Sequence, residues 1–406
     1  MEPKIRLKGF SGKWEEKKFD SLAKIRRGLT YSPSNITVKG VRVLRSSNIN
    51  EDTFVTSEDD VFVEETCVNI PLANDGDILI TAANGSPRLV GKHAVVETKG
   101  STMVPGGFMI LAMTDEPYFL NTCMSSPWYK TFLKTGVAGG NGAIGNLNKT
   151  ALVDSVFFIP SSKAERDLLA SYFQHLDILI QSTSKKIESL NQVKAASLQS
   201  MFPQKGETTP RVRIGNSTNE WKEYQLKEIL TERHEASTIT QDLPQLSFTI
   251  ADGVIRPEDR KSNKRDFLIK DKDNKRYLIT RVGDIIYNPA NVVFGAIHRN
   301  SLIDGVVSPI YRIFSTNQDS RFMECVVRRP SFISQLAMRT EGTVTKLKTL
   351  KPEAFLDMTV YIPTDMEEQR KIGEYFKNLD SQITLHTQRL EKLKQIKSAC
   401  LDNMFV

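Results

Sequence analysis

Two stretches of the chain carry a long helical rhythm of apolar positions. From Ala164 to Met201 there is neither proline nor glycine, and apolar residues recur mostly three or four apart at Leu169, Phe173, Leu176, Ile180, Ile187 and Leu190. The same rhythm returns from about Glu367 to Met404, with Ile372, Phe376, Leu379, Ile383, Leu390 and Leu393. Both predicted helices have a defined start: Ile159-Pro160-Ser161-Ser162 and Ile362-Pro363-Thr364-Asp365 set a proline and a capping side chain just ahead of the first turn. A helix of this length is a rod of roughly 57 Å, longer than one lobe needs. Its stripe asks for a second helix, and its own duplicate in a two-helix coiled coil is the nearest candidate. The alternative is a core helix packed on its own lobe. The chain between the helices reads as short β-rich runs broken by Gly, Asn, Asp and Pro, such as Val41-Arg42-Val43-Leu44 and Asp284-Ile285-Ile286-Tyr287, so each lobe is expected to be α+β.

The whole pattern is written twice. Pro3-Lys4-Ile5-Arg6-Leu7 leading to Trp14 returns as Pro210-Arg211-Val212-Arg213-Ile214 leading to Trp221, 207 residues later, whereas Pro160 returns as Pro363, 203 residues later. The second copy is therefore four residues shorter in between, and a pseudo-twofold internal repeat follows. Between the helices the matches include polar pairs: Glu165/Glu368, Tyr172/Tyr375, Asp177/Asp380, Glu188/Glu391, Gln192/Gln395 and Lys194/Lys397. Packing alone does not dictate polar residues, and a partner docked on both helices would explain them. The expected organisation is a lobe at 1–160, a helical region at 161–202, a linker at 203–209 rich in turn formers, a lobe at 210–363 and a helical region at 364–406.

Composition narrows the chemistry only a little. A net charge of +7 and a pI near 9.0 favour an anionic partner. Cys67, Cys123, Cys325 and Cys400 show no C-x-x-C spacing, which indicates neither a disulfide framework nor a zinc site. The N-terminus lacks the apolar segment of a signal peptide and no apolar run approaches membrane-spanning length, so a cytoplasmic location is expected. Catalytic signatures are weak. Gly140-Asn141-Gly142-Ala143-Ile144-Gly145 fits G-x-G-x-x-G without the strand and helix that a dinucleotide site requires. Asn288-Pro289-Ala290-Asn291 reads as a turn, and so do Gly76-Asp77 and Gly283-Asp284. Asp77 with Glu97 and Lys99 has the loose layout of a metal-dependent nuclease, which leaves a duplicated nuclease as the alternative function, although the second copy does not repeat it. No metal site is expected among the five histidines.

The lobes are rich in glycine-bearing loops with basic, amide and hydroxyl side chains, the types that bond phosphates and base edges. The DNA-binding candidates in the first lobe are Arg45, Ser46, Asn48, Asn84, Arg88, Lys92, Asn141, Asn146 and Lys149. In the second they are Arg260, Lys264, Arg265, Asn288, Asn291, Arg299, Thr343, Thr345, Lys346 and Lys348.

The two openings, together with the Ile-Pro-led helices bearing Glu165 and Glu368-Gln369-Arg370, resemble the specificity subunit of type I restriction-modification systems over essentially the whole chain. The first helix departs from the family by carrying Arg166 where Gln369 stands in the second, and a weakened partner contact in that copy is expected. The resemblance implies two target-recognition domains, each reading half of a split double-stranded DNA site, joined by two long antiparallel coiled-coil helices. It also implies that the helices recruit two methyltransferase subunits and, through them, the restriction subunits. On this reading the chain is not an enzyme and binds no cofactor, while S-adenosylmethionine, ATP and Mg belong to the partner subunits. Because the lobes differ in sequence, an asymmetric target is expected.

Overall fold

Both rhythmic stretches are helices, Lys163–Ser200 and Met366–Met404, in a computed structural model that describes residues 1–139, 144–204, 206–215, 219–260, 275–340 and 349–406. Contacts divide the chain into one unit of Met1–Lys185 with Thr387–Val406 and another of Lys186–His386. The division falls within both long helices, so each unit holds one lobe and a part of each helix.

In the first unit a four-stranded antiparallel sheet runs in the order His93–Val95, Ile78–Thr81, Met109–Met113, Lys24–Arg27. Ile78–Thr81 is buried at every position, as an apolar run in a central strand should be. Glu15–Lys18 pairs with Val156–Ile159 and brings the start of the lobe beside the start of the long helix. The core gathers Phe19, Ile80, Ile110, Phe119 and Tyr129 with Leu169, Phe173 and Leu176 of the first long helix, Leu401 and Met404 of the second, and Phe405 just past its end. The helical stripe therefore serves both expectations. Leu169, Phe173 and Leu176 fill the core of their own lobe, while Tyr172 Oη meets Cys400 Sγ at 3.4 Å and Lys397 Nζ meets Asp177 at 2.7 Å across an antiparallel pair of helices. Ile180 is buried as well, and Leu393 is half-buried against the same core.

The second unit repeats the plan with the sheet order Ile297–Arg299, Ile285–Tyr287, Arg312–Thr316, Leu230–Glu232. Lys222–Gln225 pairs with Thr359–Ile362. Leu190, Phe202, Ile372, Phe376 and Leu379 enter its core, with Ile383 packed at the edge; Ile187 and Leu390 are half-buried. Ser197 Oγ meets Tyr375 Oη at 2.9 Å, and Lys194 Nζ pairs with Asp380.

Three braces recur at the repeat spacing. Arg6 grips the buried Glu165 through two bonds of 2.8 Å, as Arg213 grips Glu368. Arg26 pairs with Asp77 as Arg233 does with Asp284. Trp14 stands edge-on to Phe405 at 5.8 Å, and Trp221 to Phe202 at 5.9 Å. This corrects the reading of the polar identities. Glu165/Glu368, Tyr172/Tyr375, Asp177/Asp380 and Lys194/Lys397 are spent on internal bonds, and only Glu188/Glu391 and Gln192/Gln395 remain as exposed matches. Arg166 and Gln369 also do one internal job. Arg166 donates to Pro160 O and clasps Glu116, while Gln369 donates to Pro363 O and accepts from Asp319 N. The departure at Arg166 is met by Glu116 within the lobe, so no partner contact needs to weaken.

His298 adds a pH-dependent term to the second unit. Its Nε2–H donates to Ile250 O at 2.8 Å, its ring lies edge-on to Phe248, and Glu324 stands 4.0 Å from Nδ1. Burial, and then the nearby Arg328, push the imidazole down to about 4, against the weaker pull of the Ile250 bond and of Asp252. Its folded value lies below its ordinary 6.5, so the unfolded chain binds the extra proton between the two. The stability is present above pH 6.5 and is lost as pH falls toward 4.

Two outcomes follow. Phe405→Ala should cost about 3–5 kcal/mol, with hydrogen-exchange protection lost around Trp14 and Phe173 and kept around Trp221; equal loss in both units would contradict the closure described. In urea titrations between pH 7 and 4.5 the second unit should lose on the order of 2–3 kcal/mol from this one group. His298→Phe should flatten that slope, and an unchanged slope would remove His298 as its source.

Candidate nucleic-acid interface

The first lobe brings three of its predicted residues into one place. Arg45 precedes the Ser46–Asn48 turn after the Val41–Leu44 strand, and Asn84 ends the Ala83–Asn84 strand. Asn84 Nδ2 donates to Ser46 Oγ at 3.1 Å, and its Oδ1 accepts from Ser86 N at 2.9 Å. These residues line a cleft of about 690 Å³ together with Tyr31, Phe108 and Ile144. Asn146 lies alongside: it pairs with Ala83 in the next strand, Gly145–Leu147, and is exposed. A glycine crossing holds Gly106, one of the cleft-lining residues, in place. A Cβ on Gly28 would lie 1.9 Å from Gly106 O, a distance no side chain allows, so only glycine lets the two segments touch.

Arg88 is exposed in the short Pro87–Leu89 turn, and Lys92 is half-buried just before the His93–Val95 strand. Lys149 opens the Lys149–Asp154 helix capped by Asn148, and burial and then Arg27 lower its pKa. Asn48 is a correction. It is buried, its Oδ1 accepts from Arg45 N, and its Nδ2 donates to Val55 O and Asp60 Oδ1. The amide is consumed in holding the loop and has no edge left for a base.

In the second lobe Asn288 Oδ1 accepts from Ala290 N and Asn291 N donates to Asn288 O, so this segment is the turn its sequence suggests. Both asparagines remain half-exposed, as does Arg260. Arg299 is the second correction. Its Nε stands 3.5 Å from Glu324 Oε2, and its side chain is only 11% exposed, so it braces the sheet against the Ser320–Arg328 helix. Asn141, Lys264, Arg265, Thr343, Thr345, Lys346 and Lys348 lie outside the described residues.

The nuclease layout does not survive the geometry. Asp77 is buried between Arg26 and the backbone N–H of Asn74, and Asp284 repeats this with Arg233 and Arg281 N. Glu97 and Lys99 form an exposed pair with each other. Asp77 and its counterpart Asp284 are thus structural carboxylates. Tyr31 and Phe108, the latter 66% exposed, also line the cleft, and neither is among the DNA-binding candidates read from the sequence. A Gly-Gly pair ahead of an aromatic was the available clue.

Residues 218–395 match the family described as the type I restriction modification DNA specificity domain. Comparison with curated proteins finds no match. Among solved structures, the S subunit of a type I restriction-modification system from M. genitalium is 14% identical with a TM-score of 0.63, covering 100% of this chain and 99% of that chain. The HsdS subunit from Thermoanaerobacter tengcongensis is 14% identical with a TM-score of 0.39, covering 97% of this chain and 96% of that one. A chain from a structure on complex assembly and conformational transition of the type I R-M system is 12% identical with a TM-score of 0.45, covering 96% and 97%. The resemblance read from the openings and the helices is borne out: residues 218–395 match the type I restriction-modification DNA specificity domain, and the whole chain has the fold of the M. genitalium S subunit.

Proposed function

We propose that this chain is the sequence-reading subunit of a cytoplasmic type I restriction-modification complex, each lobe reading one half of an asymmetric bipartite DNA site. It is noncatalytic. The long helices recruit two methyltransferase subunits, which hold S-adenosylmethionine, and through them the restriction subunits, which use ATP and Mg. The observation that carries the reading is the contrast within the repeat: Arg6/Glu165, Arg26/Asp77 and Trp14/Phe405 recur as Arg213/Glu368, Arg233/Asp284 and Trp221/Phe202, whereas the loops above the sheets do not. A kept scaffold with changed loops suits two identical partners and two different half-sites. Basic loop residues supply the salt-dependent attraction to phosphates, and amides and guanidinium groups suit base edges. Exposed apolar residues on the long helices, Leu168, Ile178 and Leu385, and the matched pairs Glu188/Glu391 and Gln192/Gln395 suit protein docking.

Binding of the full chain to duplex DNA by fluorescence anisotropy tests the lobes. Arg45→Ala should either weaken binding to all sequences and reduce the salt slope by about 1, as a phosphate contact does, or cost about 1–3 kcal/mol at one base position, as a base contact does. Unchanged affinity and slope for Arg45→Ala, Arg88→Ala and Lys149→Ala together would sink the first-lobe interface. Glu188→Lys with Glu391→Lys should lose the methyltransferase subunits in co-purification and keep DNA binding; retained subunits would remove these residues from the docking surface.

A further inference from the structure

We propose that the cleft of the first lobe takes a single nucleobase, stacked on Phe108 and Tyr31 and held at its edge by Ser46, Asn84 and Arg45. Phe108 is an unusual side chain to leave in solvent, and the fold holds it there. Its carbonyl accepts from both Ala82 N and Ala83 N, at 2.9 and 3.0 Å, while Gly106 N donates to Leu44 O and Met109 N donates to Gly106 O. The turn is bonded on both sides, so the 66% exposure of the ring does not come from a loose backbone. The second lobe repeats the position. Ile80 faces Ile110 in the first sheet and Tyr287 faces Arg312 in the second, a register that matches Phe108 with Ile310, which is 60% exposed. A large apolar side chain stands outward at this point twice, and in the first lobe it borders a cleft with a second ring, Tyr31, in its lining.

The polar end defines the ligand. Ser46 Oγ accepts from Asn84 Nδ2, which leaves the hydroxyl proton to donate. Asn84 Nδ2 keeps a second N–H, and the Arg45 side chain is exposed beside them. Donors and aromatic rings in one lining fit a flat heteroaromatic ring with acceptors on its edge. A volume of about 690 Å³ lies within the range of small-ligand pockets, roughly 300–1,000 Å³, and exceeds what one base requires. A nucleobase has this chemistry whether it is extruded from a duplex or belongs to a free nucleotide. The inference rests on the proposed DNA reading only for the first source. Unstacking a base is unfavourable, and stacking on protein rings offsets it.

The full chain is irradiated with duplexes scanned base by base with 5-iodouracil, and separately with 5-iodouridine monophosphate, and the adducts are located by mass spectrometry. An adduct on Phe108 or Tyr31 is expected. From the duplex alone it assigns an extruded base, and from the monophosphate it assigns a free nucleotide; either supports the site. Phe108→Ala should cut the Tyr31 adduct at least tenfold, and Phe108→Trp should restore it. No adduct at either ring from either reagent overturns the proposal, as does a duplex adduct at a position where thymine stays unreactive to permanganate, since that base is still stacked. Anisotropy on the same duplexes reports separately on DNA reading. A chain that binds DNA without ring adducts loses only this inference, and one that binds no DNA leaves the monophosphate to decide it.

Discussion

Each unit depends on an aromatic side chain just past the end of a long helix from the other repeat. In the first, Phe405 packs on Trp14 and Phe173; in the second, Phe202 packs on Trp221 and Phe376. Aromatic residues of this size bury about 150–250 Å² each, so neither core is complete without its visiting helix end. The helices must then keep length and register, because a slip of one residue would turn the whole stripe by about 100°. The backbone bonds Ile5 N to Asn403 O and Val212 N to Ser200 O, both 2.9 Å, fix the same junction from the lobe side. This constraint accounts for the buried part of the kept repeat without invoking any ligand, and the exposed pairs Glu188/Glu391 and Gln192/Gln395 lie outside it.

What is left free by that constraint is the set of loops above each sheet. The first lobe gathers Arg45, Ser46 and Asn84 around a cleft, with Asn146 on the adjoining strand, whereas Asn288 and Asn291 of the second occupy a tight turn. A scaffold that tolerates such divergence can present two different surfaces at one price in stability. The division between kept helices and changed loops is what the proposed reading of two half-sites by one chain rests on.

Much of this was legible in the sequence, for reasons that differ by element. The long helices are found within a residue of their expected starts, Lys163 and Met366, because their periodicity is unbroken and proline precedes them. The repeat spacing gave the symmetry. The partners of the kept polar residues were hidden, since Arg6 and Glu165 are 159 residues apart and no local pattern marks such a pair. Glu165 and Asp177 therefore looked like a docking face when they are braces. At the site, residue type located the loops and could not tell Asn84, which faces the cleft, from Asn48, which is buried, nor Arg45 from Arg299, which Glu324 holds. Phe108 reads as part of a β-rich run, because Gly-Gly-Phe before apolar residues looks like a strand entrance, whereas the strand starts at Met109 and the ring stands exposed.

The most direct measurement is the sequencing of methylated adenines in cells that carry this chain with its partner subunits. The account predicts a single bipartite motif whose two halves differ and are separated by a spacer of fixed length. A palindromic or continuous motif, or a methylation pattern unchanged when the chain is deleted, would contradict it.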